Sequence, residues 1–228
     1  MDSYTEPELA RSALVTIDLQ RCTLDSQSFE IRGTTDVIPA VAAVAEAFRA
    51  SQRPIIHVIR LYRPDGSNAD LCRRQQLLDG AELVLVGTEG RKLAQQILPE
   101  LDIDIDDEHL LSGQLQEIGP REWIMHKPRW GAFYGTKLEQ VLRSLDISTI
   151  VLAGCNYPNC PRASLYEASE RDFRLVAIAD GISRLDERGR QELENIGVML
   201  MDSVTCIPKL RSLTKHSWAP SASRDSDR

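Results

Sequence analysis

Apolar residues along this chain fall into two kinds of pattern. Short, near-continuous runs rich in Val, Ile and Leu occupy residues 13–17, 55–59, 123–125, 149–153, 175–179 and 204–207. None alternates cleanly with polar residues, as expected of strands buried on both faces of a parallel sheet. Between the runs, apolar residues recur at helical spacing. Val37, Val41, Val44, Ala45 and Phe48 do so before Pro54, and Leu93, Ile97 and Leu98 form a second set. Leu138, Val141, Leu142 and Leu145 form a third, Leu165 and Ala168 a fourth, and Leu193, Ile196 and Leu200 a fifth. Steps of three and four residues place each set on one side of a helix. Strand alternating with helix, joined by right-handed crossovers, predicts an α/β fold. The expected form is a single doubly wound, Rossmann-like domain, with a mostly parallel sheet of about six strands flanked by helices.

Two stretches break this rhythm. Residues 61–90 and 102–119 lie between the second and third core strands and are too long for tight connections, which predicts lids or binding loops. Arg60, Arg63, Arg73 and Arg74 lie in or beside the first stretch. They either meet an anionic substrate or pair with Asp65, Asp70 and Asp79. Charged side chains are mostly solvated surface, and pairing is the expectation. No internal repeat or long linker divides the chain, so one domain is expected over residues 1–214. The polar residues 215–228, with Pro220 and several Ser and Asp, predict a flexible tail.

Composition narrows the function. A chain of 228 residues can bury one sizeable core. The net charge of −7 argues against a nucleic-acid partner. No apolar run approaches the roughly 20 residues of a membrane span, and the acidic start lacks a signal peptide's apolar stretch. Cys22, Cys72, Cys155, Cys160 and Cys206 are odd in number and scattered, with no CxxC pair. That pattern argues against structural zinc and for a reducing cytoplasm. No cofactor is expected. There is no GxGxxG, and Gly131-Ala-Phe-Tyr-Gly135-Thr-Lys137 departs from the phosphate-loop spacing, with its second glycine one residue early and Thr before Lys. His57, set among Ile and Val, reads as a core histidine.

The most informative segment is Ala153-Gly-Cys-Asn-Tyr-Pro-Asn-Cys160-Pro-Arg-Ala. It follows a strand pattern, and Pro161 suits the first turn of a helix, where its missing N–H has no partner to lose. Cys160 therefore falls at a strand-turn-helix junction. The positive end of a helix dipole lowers a thiol pKa and favours the thiolate. The alternative is a small buried core cysteine. In open α/β sheets ligands bind outside the carboxyl ends of strands. That rule selects Asp18, at the end of Leu14-Val-Thr-Ile-Asp18, and Lys127, at the end of Trp123-Ile-Met-His-Lys127. Singly, Asp18 could be a base, a metal ligand or a helix cap, and Lys127 an exposed loop residue. Jointly with Cys160 they place an acid, a cation and a nucleophile on one rim.

These residues bring the chain close to a known pattern. From about Ser12 to Leu200 it resembles the isochorismatase-like cysteine hydrolases. Three blocks carry the resemblance: the strand ending in Asp18; Lys127-Pro-Arg-Trp-Gly-Ala-Phe-Tyr-Gly-Thr-Lys-Leu138; and Gly154 followed six residues later by Cys160. The resemblance implies catalytic roles for Asp18, Lys127 and Cys160. It also implies a cis peptide between Cys155 and Asn156, and an oxyanion hole made by the N–H groups of Asn156 and Cys160. Trp130, Phe133, Tyr134 and Tyr157 flank these blocks and are expected to wall the substrate pocket, with core packing as the alternative. The family's nicotinamidases carry an Asp-x-His metal motif after the second strand. This chain lacks it, so a metal-independent enzyme is expected. Retention of Cys160 implies hydrolysis of a C–N bond in a small amide, carbamoyl compound or lactam through an acyl-enzyme. The alternatives are vinyl-ether hydrolysis and a non-catalytic binding protein. The resemblance also implies a homo-oligomer, a dimer or tetramer.

Overall fold

A computed structural model describes residues 3–25, 27–101 and 103–213. The expected polar tail lies outside the described residues. The strands are β1 (Ser12–Ile17), β2 (Ile55–Ile59), β3 (Leu115–Gly119), β4 (Glu122–His126), β5 (Thr149–Gly154), β6 (Arg174–Ile182) and β7 (Met199–Met201). The helices are α1 (Thr34–Ala50), α2 (Leu71–Leu78), α3 (Asp107–Leu111), α4 (Leu138–Ser144), α5 (Cys160–Ser169), α6 (Glu187–Asn195) and α7 (Ser203–Arg211). The strands form one sheet in the order β3-β4-β2-β1-β5-β6-β7, parallel except for the antiparallel β3–β4 pair. This is the doubly wound α/β architecture that the alternating pattern predicts.

The near-continuous apolar strands arise because both sheet faces are covered. Along β1, Leu14 packs into the layer of α1 and α7, while Ala13, Val15 and Ile17 face the layer of α4, α5 and α6. On β5, Val151 and Ala153 join the first layer, and Ile150 and Leu152 the second. A strand of period two therefore needs apolar residues at every position. The chain steps outward from β1 to β2, then crosses from β4 to β5 on the other side of β1. The strand order reverses between β1 and β5, and there the carboxyl ends splay into a crevice.

The mostly parallel sheet has seven strands among the described residues, in line with the expected count of about six, and three finer expectations need correction. One strand, β3, lies inside the 102–119 insertion, and its half-exposed Leu-Gln-Glu-Ile-Gly is an edge strand without an apolar run. Residues 204–207 are helical, within α7. Val204 is exposed while Cys206 and Leu210 are buried, a helical face that a four-residue apolar run cannot reveal. The last strand is instead Met199–Met201, where Leu200 had suggested helix. Leu93, Ile97 and Leu98 do not form an α-helix, only short 3₁₀ turns at Glu89–Arg91 and Gln95–Ile97. Leu98 precedes Pro99, whose ring disfavours helical backbone before it, and is extended. No helix among the described residues is long and apolar enough to cross a membrane.

Candidate active site

Three loops leave the sheet at the reversal and bring Asp18, Lys127 and Cys160 together. Asp18 follows β1 at a positive φ of 51°, its backbone N–H bonded to the Val58 carbonyl. Lys127 follows β4, its N–H bonded to the Ile59 carbonyl. Cys160 opens α5, with Pro161 in its first turn. The Lys127 ammonium is fully buried, 2.8 Å from Asp18 Oδ2 and 3.2 Å from Cys160 Sγ, and it also reaches the Arg129 carbonyl at 3.3 Å. Asp18 Oδ1 is buried with no hydrogen-bond partner. The site thus holds a thiol, a carboxylate with a spare acceptor, and a cation touching both.

The β5–α5 loop supplies the next layer. The Cys155–Asn156 peptide is cis. Neither the Asn156 nor the Cys160 backbone N–H bonds a backbone carbonyl among the described residues, whereas Cys155 and Tyr157 bond those of Ile17 and Ser183. Gly154 has φ 143°, and a Cβ there would sit 2.3 Å from the Ile17 carbonyl oxygen. Only glycine lets β5 close on β1 at this point. The amides of the Gly131–Gly135 turn serve α5: Ala132 N–H bonds Ser164 Oγ at 3.0 Å, and Phe133 N–H bonds Glu167 Oε2 at 2.9 Å. A Cβ on Gly131 would strike the Glu167 carboxylate at 2.2 Å. The turn therefore docks the lysine loop onto the cysteine helix.

Electrostatics at the thiol differ from the helix-start expectation. Burial pushes Cys160 up to about 12, and the Asp18 carboxylate pushes the same way, while Lys127 and Arg60 pull it down without reversing the shift. A ten-residue helix end and one ammonium do not outweigh removal from water beside a carboxylate. Burial therefore favours the neutral thiol at Cys160. Next door, His126 is held neutral, lowered to about 4 by burial and by the cations Arg60 and Lys127.

The crevice is a cavity of about 60 Å³ lined by Asp18, Asn156 and Cys160, with Trp130, Phe29 and Tyr62 among its walls. Of the four aromatic residues expected there, only Trp130 is in place. Phe133 is buried in the core with its ring 6.0 Å from that of Phe173. Tyr134 is exposed. Tyr157 is buried against α6, its hydroxyl donating to the Gly189 carbonyl at 3.0 Å. Phe29, Tyr62 and Asn159 were not anticipated. The arginines also correct the surface-pairing expectation. Arg60 does pair with Asp70 at 2.6 Å, but it is buried and lines the cavity, as does Arg73. His57, by contrast, is a core residue held by Thr16 and Glu122, each at 2.8 Å.

A divalent cation does not fit this rim. After β2 the chain continues Arg60-Leu61-Tyr62 in place of Asp-x-His, and Arg60 and Arg73 put positive charge where a metal would need anionic or imidazole donors. No group of three or more His, Cys, Asp or Glu among the described residues is arranged to hold a metal.

Comparison with known proteins identifies the family. A family model described as an isochorismatase domain matches residues 12–197. A probable inactive nicotinamidase of Arabidopsis thaliana is 23% identical over 210 residues, which cover 91% of this chain and 94% of that protein. A ureidoacrylate amidohydrolase of Methylobacterium radiotolerans is 24% identical over 190 residues, covering 75% of this chain and 66% of that one. Among solved structures, an isochorismatase family protein from Desulfovibrio vulgaris aligns with a TM-score of 0.75 at 25% identity, covering 88% of this chain and 98% of that chain.

Proposed function

The chain belongs to the isochorismatase family, and from that premise we propose that it is a metal-independent cysteine hydrolase of a small amide or carbamoyl compound. One observation carries the reading: a fully buried ammonium bridges the Asp18 carboxylate and the Cys160 thiol while Asp18 Oδ1 stays unpartnered. Burying an ion pair costs several kcal/mol per ion, and apolar residues would fill the space at least as stably. Chemistry explains the cost better than architecture does.

In the proposed mechanism Asp18 takes the thiol proton as sulfur attacks the carbonyl carbon. The proton transfer leaves the net charge of the three groups unchanged, so no new charge is buried. The tetrahedral oxyanion points to the N–H groups of Asn156 and Cys160, each such donor contributing about 3–4 kcal/mol. As the C–N bond breaks, Asp18 returns the proton to the leaving nitrogen, which departs as ammonia or an amine. Water then attacks the thioester, with Asp18 as its base, and the C–S bond breaks to release the acid and restore the thiol. The Lys127 ammonium offsets charge on sulfur and carboxylate.

The test is a screen of small amides and ureido compounds, following ammonia or amine release, with Cys160→Ser beside the parent. Turnover that collapses in Cys160→Ser and survives EDTA supports the proposal. Turnover that Cys160→Ser retains would point to vinyl-ether or other thiol-independent chemistry. The name of the Arabidopsis relative favours a second reading, a protein that keeps the fold without catalysis. Binding of amides with no turnover by the parent would select it.

A further inference from the structure

We propose that the cavity selects substrates carrying a carboxylate, and that Arg73 on α2 is the residue that recognises it. This rests on the reading of the crevice as a substrate site and goes further by naming the substrate's charge. Five charged groups set the electrostatics of the cavity and its immediate surroundings. The Asp18 carboxylate is matched by Lys127 at 2.8 Å. Arg60 is matched by Asp70 at 2.6 Å and also donates to the Pro128 carbonyl at 2.9 Å. Arg73 is different. Its guanidinium makes no salt bridge among the described residues, and its one hydrogen bond there is to the neutral Gln76 Oε1 at 3.2 Å. One positive charge on the wall therefore has no counter-charge among the described residues.

The same guanidinium is held in place. It lies over the Phe29 ring at 4.9 Å and the Trp130 ring at 5.8 Å, and Arg60 lies over the Trp130 ring at 5.5 Å. Cation–aromatic contacts fix the plane of an arginine without using its N–H donors. A planar fork of five donors, so oriented and mostly unspent, matches a carboxylate in two-point geometry. The same cavity wall includes apolar Ile31, Leu83 and Val84. The arrangement fits an acid amide: the amide carbonyl at Cys160, a short carbon spacer along the apolar wall, and the carboxylate at Arg73. A cavity of about 60 Å³ confines the substrate to a small molecule, on a scale where one water needs about 10–15 Å³.

The experiment uses two isosteric pairs, malonamate against malonamide and succinamate against succinamide, which differ only by a carboxylate oxygen in place of an amide nitrogen. Calorimetry on the full chain with Cys160→Ser reads binding without turnover, and is repeated with Arg73→Gln and Arg73→Lys added. Circular dichroism confirms folding, which a half-exposed helix residue should not disturb. The expected result is that at least one acid binds at least ~10-fold more tightly than its diamide, a gap of about 1.4 kcal/mol. That gap should vanish in Arg73→Gln and persist in part in Arg73→Lys. Equal binding of acid and diamide, a gap that survives Arg73→Gln, or no binding of any of the four up to about 10 mM would overturn the proposal. If the acids bind through Arg73 but the parent hydrolyses none of the four, the carboxylate site stands and the amidase reading fails for these amides.

Discussion

Asp18→Asn should move two observables in opposite directions. The Asp18 carboxylate is the second-largest influence, after burial, holding the Cys160 thiol up near about 12, and Lys127 and Arg60 oppose it. Asparagine keeps the shape and removes the charge. Two unit charges ~4 Å apart interact by about 4 kcal/mol at an effective dielectric of ~20. At 1.36 kcal/mol per unit this is worth up to about 3 pKa units. Asp18 is only 13% exposed, so water screens little of it. Burial remains, and the thiol should settle at about 9 to 10 beside Lys127. Each unit of fall multiplies the thiolate tenfold at fixed pH, so alkylation of Cys160 at pH 8 should quicken by roughly 10²- to 10³-fold. Hydrolysis should slow by ~10²- to 10⁴-fold, because an amide neither takes the thiol proton nor returns it to the leaving nitrogen. The assay is iodoacetamide labelling across pH with peptide mapping, alongside single-turnover kinetics on the same preparations. Exposed Cys72 serves as an internal reference. Unchanged or slower labelling of Cys160 would refute the electrostatic argument. Near-parental turnover would remove Asp18 as the base.

Lys127→Met should leave Asp18 buried without its cation and cost about 3–5 kcal/mol of stability, measured by urea unfolding. The Asp18→Asn, Lys127→Met double variant should turn over little slower than the worse single variant, because the residues act as one unit; multiplying losses would show separate roles. Glu122 accepts from Arg49 at 2.8 and 2.7 Å and from His57 at 2.8 Å. Burial alone would raise its carboxyl, but these donors outweigh it and hold the carboxyl below its ordinary range. A depressed folded pKa gives stability that is complete above the unfolded value, about 4.3, and lost as pH falls through the folded value. Glu122→Gln should therefore be less stable than the parent at neutral pH, with a gap that narrows below about pH 4; a constant gap would count against the ionic account. Gly154→Ala should push a Cβ into the Ile17 carbonyl, now 2.3 Å away, and abolish turnover with a loss of at least ~2 kcal/mol on thermal melting. Parental activity and melting would show that the β1–β5 contact is not tight.

The sequence by itself determined the features that depend on neighbours along the chain. Apolar runs and helical spacing specify which segments become strands and helices, because each must bury a face. In a doubly wound sheet that alone puts Asp18, Lys127 and Cys160 on one rim, and the reversal between β1 and β5 brings them within contact distance. The features decided only by tertiary structure depend on residues distant in sequence. Strand β3 has no apolar run to announce it, since its partner β4 and its edge position make it a strand. Phe133 and Tyr157 sit in irregular loops, where spacing does not say which way a ring points, and both turned into the core. Arg73 lies over both the Phe29 and the Trp130 rings, which come from two other segments, so this stack exists only once the insertion has folded over the crevice. The thiol is the sharpest case. Its place at a helix start is local and favours ionisation, whereas its burial depends on the whole molecule, and desolvation in a closed crevice outweighs the end of one helix.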